Sequence, residues 1–359
     1  MIADPLLQHP NNDTSAALLE QVNQALQNAT PLRIQGSNSK AFLGRIVAGE
    51  VLDTRTHRGI VSYDPTELVI TVRCGTPLSE LAEVLDDAQQ MLPCEPPSFG
   101  EGATVGGMIA CGLSGPRRPW SGSVRDFVLG TRVITGYGKH LRFGGEVMKN
   151  VAGYDLSRLM AGSYGALGVV TEVSLKVLPK PRQCLSISLD MDSDRALLRL
   201  AEWGQQPLPI SAACHDGQRL HLRLEGGEGS VAAAHDRLGG ELLDASYWAD
   251  INEHRLSFFD EDQPLWRLSL PHNTPRLSLP GVQLIDWGGA QRWLKSEAQA
   301  SFIRKIVGEV GGHVTCYSHG LIDSPFQPLP AALMRYHQNL KQQLDPRGIF
   351  NPGRLYAEC

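Results

Sequence analysis

The sequence predicts an α+β protein, from the helical and strand patterns taken in order below, and two domains, from length, glycine distribution and one pair of prolines. At 359 residues the chain is long for a single small core, and its 42% hydrophobic fraction permits full burial in two. Between Gly100 and Val170, about a fifth of the chain holds 16 of the 37 glycines, so that segment has a local reason for bare backbone. Pro179 and Pro181 end an alternating strand, and beyond them the glycine density falls, which places a domain boundary there.

The elements follow in chain order. In "TSAALLEQVNQALQ", Leu18, Leu19, Val22, Ala25 and Leu26 share one helical face, and Asp13 or Thr14 supplies the cap, so a helix is predicted near 15–28. "PLRIQ" reads as a short strand running into the small-residue loop "GSNSK", and "GIVSY" and "ELVITVR" are strands by their β-branched content. Thr76 as cap and Pro77 at the first helical position open a second helix in "GTPLSELAEVLDDAQQ". "DFVLGTRVITGYGKHLRF" is a hairpin turning at "GYGK". "TEVSLKVLPKP" alternates Val173, Leu175 and Val177 with Glu172, Ser174 and Lys176, a half-exposed strand. Past the prolines, "LHLRLEG" is a strand, "SVAAAHDRLGG" a helix and "AQRWLKSEAQASFIRKIVGEV" a further helix. The tail gives an amphipathic helix to about Leu344 and a tight turn in "DPRGIFNPGR".

Composition excludes several functions. A net charge of −5 and a pI near 6.1 argue against a nucleic-acid binder, which needs a basic face. The N-terminus lacks a charged n-region and a long apolar run, and no stretch reaches 18 apolar residues, so a cytoplasmic protein is expected. The seven cysteines are scattered without C-x-x-C spacing, which fits reduced thiols rather than an iron–sulfur or zinc framework. No H-x-H or H-E-x-x-H spacing marks a metal, and His313 and His319 read as surface or core. A P-loop and a G-x-S-x-G elbow are both missing. No His, Glu or Tyr stands at a spacing that singles out a general base, so the catalytic residues are unknown at this level.

Three glycine-bearing loops compete to cradle a phosphate. In "QGSNSK", Gln35 to Lys40, successive small residues can turn their N–H groups inward, with Ser37, Asn38 and Ser39 adding side-chain donors; an ordinary polar turn explains it equally. In "GEGATVGGMIACGLSG", Gly106 and Gly107 allow a ligand against backbone, or else a tight crossing of chain segments. "GEGSVA", Gly227 to Ala232, matches G-x-G-x-x-A. A central parallel strand before it would be apolar on both faces, however, whereas "LHLRLE" alternates leucines with His221, Arg223 and Glu225. That loop is therefore expected to be a turn elsewhere.

The runs "EGATVGGMIACGLSGPRRPWSGSVRDFVLG" and "KNVAGYDLSRLMAGSYGALGVVTEVSLKVLP", with "PLRIQGSNSKAFLG" and the closing "DPRGIFNPGR", resemble the vanillyl-alcohol-oxidase or PCMH-type FAD-binding family, in particular the flavoprotein subunits of 2-hydroxy-acid oxidases. The resemblance is strong over about residues 30–182 and good in the last thirty or so. It implies a two-subdomain PCMH-type FAD-binding domain over 1–182, an α/β cap domain over 183–330 and a C-terminal segment, 331–359, returning to the FAD domain. It places FAD on Gln35, Gly36, Ser37, Asn38, Ser39, Pro97, Thr104, Gly106, Gly107, Cys111, Gly112, Gly115, Ser123, Gly168 and Val169, with "KNVAGYDL" and "GSYGALGVV" as close-packed walls. Asn38 stands where members with covalent flavin carry a histidine, so attachment should be noncovalent. The family's H-x-G-D-G-N type motif, which supplies a base, is absent, and "GGHVTCYSHG" is at best a remnant. The implied activity is oxidation of a small 2-hydroxy acid, glycolate, as part of a complex with a second FAD-containing subunit and an iron–sulfur subunit. Through those partners the chain would lie peripherally at the inner face of the membrane, and exposed Arg117 and Arg118 are candidate contact points. The competing reading is an assembly subunit whose FAD is not catalytic.

Overall fold

The structure is a computed structural model that describes residues 10–145, 154–260 and 262–359. It divides into two compact units: one contains the residues up to Ser114, Gly122–Lys180 and Pro328–Cys359, and the other Gly115–Ser121 and Pro181–Gln327. One segment named as a cofactor wall, "KNVAGYDL", lies largely outside the described residues.

In the first unit the helix Ser15–Asn28 buries Leu18, Val22 and Ala25, one per turn, and ends where Ala29 turns left-handed at φ 52°. Asp13 Oδ1, accepting from Ser15 N at 2.9 Å, satisfies its first turn, while Thr14 makes no side-chain cap. The short strand Leu32–Gln35 pairs in parallel with Glu50–Asp53. Leu32, Leu52, Ile134, Val169, Ile349 and Phe350 pack with that helix in one core. A five-stranded antiparallel sheet follows in the order Ile60–Asp64, Val69–Arg73, Val169–Lys176, Val128–Ile134, His140–Gly144. The last two strands are the expected hairpin, closed by Thr135 N donating to Lys139 O at 3.0 Å.

Two expectations change here. Val169–Lys176 is the middle strand, so Glu172 and Ser174 are buried rather than half-exposed, and Ser174 Oγ meets Thr71 Oγ1 at 2.8 Å across the ladder. Thr76 does not cap the second helix: its Oγ1 accepts from Gly59 N at 2.8 Å, Pro77 takes the flanking position, and the helix runs Leu78–Asp87.

His57, fully buried in this unit, carries a pH prediction. Its Nδ1 accepts from Thr14 N at 3.1 Å, and burial lowers its pKa from 6.5 to about 4 despite the nearby Asp13 carboxylate. Between those values the unfolded chain takes a proton that the folded chain refuses, so the stability present above pH 6.5 is lost as pH falls toward 4. At ~1.4 kcal/mol per pKa unit the loss approaches about 3 kcal/mol. Urea midpoints at pH 7 and 4.5 should therefore lie farther apart in the native chain than in His57→Asn, and equal separations would contradict the assignment.

The second unit is an eight-stranded sheet in the order Glu241–Leu242, Gln183–Asp190, Arg219–Gly226, Ile210–His215, Val282–Asp286, Gln291–Lys295, Leu265–Ser269, His313–Cys316. Every pairing is antiparallel. Helices Ser193–Trp203 and Glu228–Leu238 bring Ala196, Val231 and Ala234 onto Ile187, Leu220, Leu222 and Leu224, and Ala300–Glu309 packs Ile303 and Val307 on Leu268, Leu294 and Val314.

Three expectations are corrected in this unit. The segment read as one long helix is the strand Gln291–Lys295 followed by the helix Ala300–Glu309, because the strand hydrogen-bonds on both sides and tertiary pairing overrides its helical period. Arg219–Gly226 buries His221 and Arg223 as well as its leucines: His221 Nε2 lies 2.9 Å from Asp216 Oδ2, and Arg223 Nε donates to Ser211 Oγ at 2.9 Å. Arg117 is buried rather than exposed, its Nη2 donating to Glu225 Oε1 at 2.8 Å, while Arg118 lies 4.6 Å over the Trp287 ring.

Candidate cofactor-binding site

The strand Leu32–Gln35 aims its loop at the site because both of its edges are occupied. Glu50–Asp53 pairs on one side, and on the other Leu32 N donates to Ile349 O at 2.7 Å and Ile34 N to Asn351 Oδ1 at 2.8 Å. Past Gln35 the chain opens into Gly36–Ser39, with Asn38 left-handed at φ 65°. Among the described residues no group accepts from the backbone N–H of Gly36, Ser37, Asn38 or Ser39. Such a row of unspent donors is an anion nest. Ser39 Oγ and Lys40 Nζ fasten the loop by donating to Ser98 O at 2.8 and 3.0 Å.

The facing wall is the helix Val105–Cys111. Thr104 caps it by accepting from Gly107 N at 3.2 Å, and Gly106 N donates to Cys74 O at 2.7 Å. Two glycines are required by proximity: a Cβ on Gly36 would fall 2.3 Å from Thr104 Oγ1, and one on Gly106 2.9 Å from Cys74 O. Gly107 differs, since a Cβ there meets only Thr104 Oγ1, at 3.3 Å, and otherwise points into open space. The third wall is the loop around Tyr164, held by Gly162 N donating to Ile109 O and Tyr164 N to Ala110 O. Asn351 Nδ2 donates to Tyr164 O at 2.7 Å, so one side chain joins this wall to the first.

These walls enclose an open-mouthed cleft whose empty space, adjoining solvent included, is about 940 Å³. Arg33, Lys40 and Arg354 line it, and among the described residues no Asp, Glu or His does. In a chain of net charge −5, that bias selects an anion. Cys111 lines it with a thiol that burial pushes up, although Lys40 and Arg354 pull the other way. Unspent backbone donors, cations without a lining carboxylate and glycine-tight walls fit an elongated phosphate-bearing cofactor.

Of the residues named from sequence, the cleft brings together Gln35, Gly36, Ser37, Asn38, Ser39, Thr104, Gly106, Gly107, Cys111 and Gly168. Pro97, Gly112, Gly115, Ser123 and Val169 stand outside its lining. Gly112 is the left-handed end of the helix, packed on Gly162; Gly115 belongs to the second unit; Ser123 caps Val124–Phe127; Val169 is core. Tyr164 lines the cleft, while Tyr154 is 83% exposed and is no wall. The turn Gly227–Ala232 forms the start of an exposed helix in the second unit, with open space around Gly229. Sequence reasoning had Lys40 only as the end of the cradle loop and missed Arg33, Asn351 and Arg354; the "NPGR" turn was the available signal for the last two.

Comparison with known proteins agrees with this geometry. The FAD binding domain family matches residues 12–144. Glycolate oxidase subunit GlcE of Escherichia coli (strain K12) is 64% identical over 346 residues, covering 96% of this chain and 98% of that protein. Glycolate oxidase subunit GlcD of Bacillus subtilis (strain 168) is 37% identical over 133 residues, 37% of this chain and 28% of that one. In fold, an alkyldihydroxyacetonephosphate synthase structure is similar at a TM-score of 0.66 with 16% identity, covering 96% of this chain and 76% of that one. Residues 12–144 thus form an FAD-binding domain, and the chain belongs to the family of glycolate oxidase subunit GlcE.

Proposed function

We propose that this chain is the FAD-binding subunit of a glycolate oxidase complex, taking part in the oxidation of glycolate to glyoxylate. The observation that carries the proposal is full-length similarity to a glycolate oxidase subunit, together with a cationic, carboxylate-free cleft in an acidic chain. When bound, FAD supplies the acceptor for the two electrons that leave the 2-hydroxy acid.

Gln35, Gly36, Ser37, Asn38, Ser39, Thr104, Gly106, Gly107, Cys111 and Gly168 would hold it from the cleft lining. Pro97, Gly112, Gly115, Ser123 and Val169 would act, if at all, through the segments they shape. Noncovalent attachment is supported by the lining, which among the described residues offers no histidine and, in Cys111, a thiol whose pKa burial raises. In this reading residues 1–182 and 331–359 are the FAD domain and 183–330 the cap.

The partners are a second FAD-containing subunit, supported by the similarity to a GlcD chain, and an iron–sulfur subunit that carries electrons onward. No helix among the described residues is long and apolar enough to cross a membrane, so contact with one would run through those partners. A second reading, an assembly subunit whose FAD is not catalytic, is favoured by one observation: among the described residues no His, Asp or Glu lines the cleft to take the proton of a substrate hydroxyl.

The test is turnover. The isolated chain with glycolate and a dye acceptor is expected to be inactive, and the chain combined with its co-purifying subunits active. Replacing its FAD-binding residues in the complex should then abolish activity. Full turnover by the chain alone would overturn the need for partners, and a complex that keeps its rate when this subunit lacks flavin would establish the assembly reading.

A further inference from the structure

The C-terminal turn puts a cation in the cleft that no carboxylate among the described residues neutralises. Arg354 lines the cleft and is half-buried, and its guanidinium donates through Nη1 to Arg45 O at 2.7 Å and through Nη2 to Ala41 O at 3.3 Å. Both carbonyls belong to the loop that continues the Gly36–Ser39 cradle. The loop answers in kind, since Arg45 N donates to Arg354 O at 2.9 Å. Among the described residues no carboxylate pairs with Arg354; the ionisable groups that act on it are Cys111 and Tyr164, and burial alone lowers its pKa. A half-buried cation held only by carbonyls leaves part of its desolvation uncompensated, and an anion in the cleft would complete it. The next turn of the chain is fixed as well, with Arg354 N donating to Asn351 O at 3.1 Å and Asn351 bridging Ile34 and Tyr164.

We propose that Arg354 is the counter-ion of the cofactor's diphosphate and, through Ala41 and Arg45, the residue that sets the position of the cradle loop. The inference rests on FAD as the cleft's ligand and adds a determinant about 315 residues downstream of the cradle. A guanidinium is suited to both tasks because its planar fork reaches two carbonyls and still presents N–H groups to a phosphate.

The experiment titrates FAD into flavin-stripped full-length chain by fluorescence quenching, at low and high salt, for the native protein, Arg354→Gln and Arg354→Lys. The Gln variant is expected to bind FAD ~10- to 100-fold more weakly, with a flatter salt dependence because one screened charge is gone. The Lys variant should keep the native salt dependence and recover only part of the affinity, since an ammonium does not replace the fork.

Native affinity in the Gln variant would overturn the proposal, and so would a loss of affinity with unchanged salt dependence, which marks a packing defect. If the Gln variant does not fold, the Lys variant decides: weaker binding with native salt dependence supports the proposal and native affinity overturns it. A native chain that takes up no FAD would sink both this inference and the reading beneath it, whereas native uptake with unaffected variants would sink only this one.

Discussion

Gly107→Val is expected to abolish FAD retention while the chain stays folded. The position is helical, and a Cβ there meets only Thr104 Oγ1, at 3.3 Å, before entering the cleft. The branched side chain therefore has room in the empty cleft and none once a cofactor lies against the backbone. Overpacking of this kind costs up to ~3 kcal/mol, a loss of roughly a hundredfold or more. Gly36→Val also removes binding but is a blunter test, because its Cβ collides with Thr104 and disturbs the wall itself. Gly229→Val, in the open helical turn of the second unit, should retain native flavin. Flavin absorbance per chain after desalting, with circular dichroism for fold, separates the outcomes. Native flavin content in Gly107→Val would move the cofactor off this wall, and loss in Gly229→Val alone would move it to the second unit.

The other large effect is on stability, and Lys341→Met is expected to lower it by about 3–5 kcal/mol, the cost of breaking a buried ion pair from one side. The Lys341 ammonium spends its three protons on Ala166 O at 2.7 Å, Asp345 Oδ2 at 2.7 Å and Phe350 O at 2.6 Å. Asp345 is almost fully buried and also accepts from Ile349 N and Phe350 N, so the pair nails the C-terminal turn to the Tyr164 wall. Without the ammonium, the carboxylate is left buried with only backbone donors. Because Ile349 and Asn351 follow, FAD affinity should fall with stability. Urea unfolding of the native and variant chains measures the first, and a midpoint unchanged by the substitution would show that the turn is held by packing alone.

What the sequence disclosed was local. The helix Ser15–Asn28 and the hairpin at Gly136 to Lys139 were legible because their apolar period and turn residues lie within a few positions of each other. The strand Gln291–Lys295 was not, since the two strands that claim it lie on either side and its own period looks helical. The cradle loop could be found from its run of small residues and the facing helix from its glycine pair. Asn351 and Arg354 escaped because the "NPGR" turn marks a closing segment but not what it touches: Asn351 meets Ile34 across 317 positions, and Arg354 reaches Arg45 across 309. The burial of Arg117 depended similarly on Glu225, 108 positions away.

The most direct test of the central claim is the flavin content of the purified full-length chain. One FAD per chain is expected, released intact by acid or heat and identified as the dinucleotide by its adenylate half, because the cleft combines unspent backbone donors with Arg33, Lys40 and Arg354. A colourless chain that gains no flavin on incubation with FAD would contradict the account, as would one that retains FMN and refuses FAD.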